Sequence, residues 1–254
     1  MCVDMERAIL GHEFQPYFQP QIDAKTKRLV SVEVLARWDH PRLGLVGPSF
    51  FLSQAEELGL LAKIDGSIFD AAMRQAAEWL IITDRPPNLS FNIGSERIRI
   101  SMGEIIERSN NYPGTVSLEV LETVFIEEES RSFFRCLKHA RAAGIQIEVD
   151  DFGSGRTSIL ALQKLSPDAV KIDGRIVRRL GIDQNSRELL RAIVNIGRIF
   201  GACVTAEGVE TEAQAEALVE LGCDVLQGYF FAAPMNGAEF TEYLQLEESR
   251  RFAS

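Results

Sequence analysis

Hydrophobic and polar positions along the chain follow two periods. Val30, Val32, Val34 and Ala36 interleave with Ser31, Glu33, Leu35 and Arg37, the alternation of a strand with one face under helices and the other turned inward. Ile64, Ile68, Ala72, Ala76 and Leu80, with Phe69 and Met73 alongside, recur at helical spacing, as do Leu189, Leu190, Ile193, Ile196 and Phe200. Gly144, Gly201 and Gly222 each end a helical segment and introduce a short apolar run closed by a polar residue. The runs are Ile145–Val149 before Asp150, Ala202–Ala206 before Glu207, and Cys223–Leu226 before Gln227. A glycine just past a helix supplies the left-handed cap that stops it. Further strands are predicted over Phe14–Asp23, Leu29–Trp38, Asn88–Asn92, Thr115–Val120 and Ala169–Asp173, which makes eight. Eight strands separated by helices, read as βα units around a parallel sheet, predict a TIM-like (β/α)8 barrel with its active site at the C-terminal ends of the strands. One domain is expected over residues 1–247, with a frayed polar tail over 248–254.

The strand ends carry Glu33, Asn92, Glu119, Asp150 with Asp151, Lys171, Glu207 and Gln227. Alternation places Glu33, Asn92, Glu119 and Glu207 on inward faces with Ser90, Ser117 and Thr205. Carboxylates converging on one mouth repel by about 4 kcal/mol per pair at close range and an effective dielectric of ~20. Divalent cations neutralise such a set most simply, and all-oxygen ligands favour Mg2+ or Mn2+. The adjacent Asp150 and Asp151 could reach two ions, an arrangement suited to two-metal phosphodiester hydrolysis, with Lys171 orienting water or offsetting charge. Blander roles stay open for single residues: Lys171 as an ion-pair partner of Asp173, and Asp151 as a cap for a helix starting near Thr157. Trp38 and Phe152 read as packing residues, and His12, His40 and His139 as turn or surface positions.

Composition narrows the field. With 37 acidic against 27 basic side chains, the net charge of −10 opposes duplex nucleic-acid binding, which needs a basic face. Cys2, Cys136, Cys203 and Cys223 show no paired spacing, so neither a zinc site nor a disulfide framework is expected, and a reducing cytoplasm fits. No apolar run is long enough to span a bilayer, and the N-terminus lacks the basic and apolar regions of a signal peptide. The serine-hydrolase elbow, the Walker loop and the dinucleotide fingerprint are all missing.

From about Glu6 to Leu246 the chain resembles the EAL-domain cyclic-di-GMP phosphodiesterases. The resemblance rests on Phe18-Gln19-Pro20, Glu33-Val34-Leu35-Ala36-Arg37-Trp38 with His40-Pro41, Asn92-Ile93-Gly94-Ser95, and Glu119-Val120-Leu121-Glu122. It continues in Asp150-Asp151-Phe152-Gly153-Ser154-Gly155, Lys171-Ile172-Asp173, Ala206-Glu207-Gly208-Val209-Glu210-Thr211 and Gln227-Gly228-Tyr229. It implies metal-dependent hydrolysis of cyclic-di-GMP to linear pGpG. Glu33, Asn92, Glu119 and Asp150 match the ligands of one metal, and Asp150, Asp151 and Glu207 those around a second. Lys171 matches the water-positioning lysine, and Gln19, Leu35, Arg37 and Gln227 match substrate contacts. Glu210 matches the glutamate that anchors the loop after Asp151. A homodimer is implied, and the chain is expected to be either a stand-alone enzyme or a part of a longer regulator with a sensor or cyclase domain. The rival reading is a catalytically weak cyclic-di-GMP receptor that signals to a partner. Departures from the family pattern are Val34 for alanine, Phe18 and Arg156 for tyrosines, Leu121 for threonine, Gly174 for a basic residue, and an inward Glu148 where small or apolar residues are usual.

Overall fold

The computed structural model describes residues 2–121, 131–153, 159–181 and 185–252. Nine strands form one sheet: β1 (Phe14–Asp23), β2 (Leu29–His40), β3 (Gly44–Val46), β4 (Asn88–Asn92), β5 (Val116–Leu121), β6 (Gln146–Phe152), β7 (Ala169–Ile172), β8 (Cys203–Ala206) and β9 (Val225–Leu226). Their order, β1-β9-β8-β7-β6-β5-β4-β2-β3 with β1 also paired to β2, closes eight of them into a barrel and leaves β3 as a flap on the edge of β2. The expected α/β barrel is therefore present, with one difference in direction. β1 runs antiparallel to both of its neighbours, while β2 and β4 through β9 run parallel.

The reason is local. No helix separates β1 from β2, and a short turn cannot return the chain in the same direction. Asp23 Oδ1 holds that turn, accepting from Lys25 N at 3.0 Å and Thr26 N at 2.6 Å, and Lys27 takes a left-handed φ of 60°.

Helices among the described residues are α1 (Cys2–Leu10), α2 (Pro48–Glu57), α3 (Leu61–Trp79), α4 (Ser95–Ser109), α5 (Arg131–Ala142), α6 (Ile159–Leu165), α7 (Gly174–Val177), α8 (Ser186–Ile199), α9 (Glu212–Leu221) and α10 (Gly237–Phe252). Gly144, Gly201 and Gly222 take left-handed φ values of 86°, 70° and 93° at the ends of helical segments, as their spacing predicts. Thr211 and Gln214 add a reciprocal capping box at the start of α9. α10 continues past residue 247, where the sequence suggests a frayed end, and Thr83 Oγ1 donates to Glu248 at 2.9 Å.

The core lies between barrel and helices. Leu89, Leu118, Ile147, Val204 and Leu226 point outward from β4, β5, β6, β8 and β9 and are fully buried. On β1, Phe18 packs edge-on against Trp79 at 5.0 Å and beside Phe240 at 5.7 Å, so the missing tyrosine hydroxyl leaves a wholly apolar contact. Trp38 is buried as a packing residue, stacked on Phe14 at 5.1 Å with its Nε1 donating to Glu13. Leu80 and Leu189, assigned to apolar helix faces from spacing, are 40% and 49% exposed. Leu80 caps α3 rather than continuing it.

Candidate active site

The inward faces of the barrel are polar, and the strand register brings them together. Glu33 pairs with Gln19 on one side and Ser90 on the other; Asn92 pairs with Glu119, Glu119 with Glu148, and Lys171 with Thr205. Period-2 alternation then turns Glu33, Glu119, Asp150, Lys171 and Gln227 into the interior, where each is buried.

Lys171 stands at the centre with no exposed surface. Its Nζ lies 2.6 Å from Glu119, 2.7 Å from Glu207, 3.4 Å from Glu33 and 3.6 Å from Asp150. Asp173, the partner left open by the sequence, instead caps α7 and pairs with Arg175. β7 ends at Ile172, so Asp173 has already left the barrel interior.

Neutral donors fix the carboxylates further. Asn92 Nδ2 donates to Glu33 Oε1 at 2.8 Å, and Gln227 Nε2 donates to Glu33 Oε2 at 2.5 Å. Ser90 Oγ donates to Glu119 Oε1 at 2.5 Å. Gln227 is itself tied to Gln21 at 2.8 Å and Gln19 at 3.1 Å. Gln21 was not legible as a site residue, although its alternation with Gln19 was the available signal.

One ammonium does not balance this many acids. Burial and the Glu33 charge push Glu119 well above the usual carboxylate range. Burial lifts Glu207 to about 8, against the opposing pull of Lys171. Burial also acts on Glu33, but Lys171, Gln227 and Asn92 outweigh it and hold that carboxyl low. Burial works against the charged form of Lys171, yet the surrounding acids hold its pKa well above the ordinary lysine value. Glu148, below the mouth, is raised mainly by burial. Asp150, Asp151 and Glu207 bring ligand atoms within 4.8 Å of one another. Asp151 reaches this position through a left-handed φ of 55°, with its N–H donating to Asp150 Oδ1 at 2.9 Å. An oxygen-only cluster with acids in excess fits a hard divalent cation.

Beside the cluster, Gln19, Leu35, Glu207, Glu210, Gln227, Arg178 and Tyr229 line one cleft of about 330 Å3. Arg178 has no place in the sequence reading, and Tyr229 enters it only within the Gln227-Gly228-Tyr229 match. Arg178 lies alongside Gly174 and Gly208, whose backbones pack so closely that a Cβ on Gly208 would lie 3.0 Å from Gly174 Cα. Arg37 is half-buried, over the Tyr17 ring at 5.7 Å. The backbone N–H of Glu210 donates to Gln214 at 2.8 Å. Arg156, Thr157 and the loop that Glu210 is expected to anchor lie outside the described residues, as does Glu122.

The EAL domain family model matches residues 3–234. Among curated proteins, the chain is 34% identical over 237 residues to the bifunctional diguanylate cyclase/cyclic di-GMP phosphodiesterase MucR of Pseudomonas aeruginosa, covering 91% of this chain and 34% of that protein. It is 31% identical over 245 residues to the cyclic di-GMP phosphodiesterase RocR of the same organism, covering 94% of this chain and 62% of RocR. The chain thus spans about a third to three-fifths of the length of these relatives. Among solved structures, the PaMucR phosphodiesterase in complex with c-di-GMP superposes with a TM-score of 0.85 at 32% identity, covering 94% of this chain and 98% of that one. An EAL domain protein of Listeria monocytogenes gives 0.80 at 25% identity, covering 96% and 97%. A calcium and cyclic-di-GMP complex of BlrP1 from Klebsiella pneumoniae gives 0.76 at 26% identity, covering 89% and 57%.

Proposed function

The chain belongs to the EAL domain family, and on that premise we propose that it hydrolyses cyclic-di-GMP to linear pGpG with Mg2+ or Mn2+. The observation that carries the reading is the buried Lys171 ammonium shared among Glu33, Glu119, Asp150 and Glu207 at the mouth of the barrel. A phosphodiester hydrolase needs that combination: acids to hold cations, and a fixed positive donor beside the reacting oxygen.

Glu33, Asn92, Glu119 and Asp150 would hold one ion, and Asp150, Asp151 and Glu207 a second. Bound there, the ions supply an activated water and a counter-charge for the phosphate oxygens. The protein's own part is positioning. Lys171, held by Glu119 and Glu207, would orient the attacking water and offset the charge that develops on the phosphate once ions draw the acids toward them. Gln227 orients Glu33 while closing the substrate cleft beside Gln19 and Leu35, and Arg37 contacts the dinucleotide from β2. Glu210 anchors the loop after Asp151 and links the site to a homodimer partner. On this reading the setting is cytoplasmic, and the chain works either as a stand-alone enzyme or as part of a longer chain with a sensor or cyclase domain. Among the described residues no helix is long and apolar enough to cross a membrane.

The test is incubation of the purified protein with cyclic-di-GMP and either metal, with products separated by chromatography and Glu33→Ala run in parallel. Appearance of pGpG, abolished in the variant and by chelation, is expected. Unchanged nucleotide in both metals overturns the hydrolytic reading, and tight binding without turnover would then favour the receptor.

A further inference from the structure

Beneath the rim of the metal-binding mouth, Gln21 lies one alternation below Gln19 on the inward face of β1. It is 3% exposed and does not line the substrate cleft. Ile22 pairs with Leu226 across β1 and β9, which sets the side chain of Gln21 beside that of Gln227. Gln21 Nε2 donates to Gln227 Oε1 at 2.8 Å. Gln227 Nε2 in turn donates to Glu33 Oε2 at 2.5 Å and to Gln19 Oε1 at 3.1 Å, and Gln19 Nε2 donates to the Ala232 carbonyl at 3.2 Å. Both N–H groups of the Gln227 amide are thereby spent inside the protein, and its carbonyl is met by Gln21.

The polarity of these bonds follows from their anionic end. A carboxylate only accepts, so the Gln227 amide must turn its nitrogen to Glu33 and its oxygen away. A buried carbonyl needs a donor, and Gln21 is the side chain that supplies it. Turned end for end, the Gln227 amide would set its oxygen against the Glu33 carboxylate, acceptor facing acceptor. Gln227 and Gln19 both line the cleft, so the sense in which their amides point decides which hydrogen-bonding groups a ligand meets. We propose that Gln21 is a positioning residue for the dinucleotide, holding the Gln227 amide, and through it Gln19, in a single orientation without touching the substrate itself. The inference rests on the cyclic-di-GMP reading for its ligand and is separable from hydrolysis, because it concerns binding.

The test is a double-mutant cycle on Gln21 and Gln227. It is read as Kd for cyclic-di-GMP in Ca2+, the ion of the BlrP1 complex, and as KM and kcat in Mn2+. Gln21→Met keeps length and packing but has no donor. It should raise Kd and KM about 5- to 10-fold, the worth of one net hydrogen bond, with little change in kcat. Gln227→Met should weaken binding at least as much, and adding Gln21→Met to it should change nothing further. Gln21→Lys, which offers donors alone, should bind close to the parent while Gln227 is present, and no better than Gln227→Met in that background. A merely structural Gln21 would lower the melting temperature and leave Kd and KM unmoved. That result overturns the proposal, as do losses that multiply in the double variant. Coupling in Kd but no pGpG from the parent chain would sustain this inference and sink hydrolysis. Turnover without coupling would do the reverse, and no binding by the parent chain removes both.

Discussion

Gln227 donates its side-chain amide to Glu33 across 2.5 Å, joining the residue after the last barrel strand to the second strand. The bond links a residue matched to substrate contact with one matched to metal binding. Hydrogen bonds to a charged partner contribute about 1.5–3 kcal/mol. Gln227→Ala should therefore lower the unfolding free energy by about 2 kcal/mol, and it should raise KM for cyclic-di-GMP by more than it lowers kcat. Calorimetric melting together with steady-state kinetics checks both. An unchanged melting temperature would show that the bond contributes nothing net.

Removing the central ammonium has a sharper signature. Lys171→Met leaves Glu33, Glu119, Asp150 and Glu207 without their shared cation, and breaking such a buried set costs about 3–5 kcal/mol. Hydrolysis should be lost. Because the acids still need a counter-charge, Mn2+ should raise the melting temperature of Lys171→Met by more than it raises that of the parent chain. An equal or smaller rise would mean that the cluster does not hold the ion.

Gly228 permits a close approach of two backbones. A Cβ there would lie 2.1 Å from the Val209 carbonyl oxygen and 2.3 Å from its nitrogen, where Val209 N donates to Gln227 O and Phe230 N donates to Val209 O. Gly228→Ala must part the segments that follow β8 and β9 and shift Gln227, at about 1–3 kcal/mol for overpacking. Substrate affinity should fall with stability, and a variant that melts and binds like the parent would refute the coupling.

Asp65 gives a pH dependence with a defined sign. Burial lifts its carboxyl to about 6, against the pull of the Gly94 N–H and Arg97, while an unfolded aspartate titrates near ~3.9. The folded form holds the proton more tightly. Its favourable contribution is therefore complete below about pH 4 and is lost as pH rises through about 6. Asp65→Asn has no charge to bury, so its stability relative to the parent should rise by about 3 kcal/mol over that window. A difference that stays flat with pH would dismiss the effect.

Alternation and helix punctuation, both properties of consecutive residues, determined the barrel and its polar interior. Glu33, Glu119, Asp150 and Lys171 face inward because strand side chains repeat every two residues, whatever the rest of the chain does. The left-handed caps at Gly144, Gly201 and Gly222 are local for the same reason. Only the closed tertiary structure decided which inward groups meet. Lys171 could be paired on paper with Asp173, two residues away, but the strand ends between them, and its four acid partners come from other strands and the β8 end. The direction of β1 depended on a missing helix, and the seat of the buried Arg97 guanidinium on Gly66 of the neighbouring helix, where a Cβ would lie 2.6 Å from Nη1. Contacts between distant segments are set by register and packing, and neither is written in the spacing of neighbours.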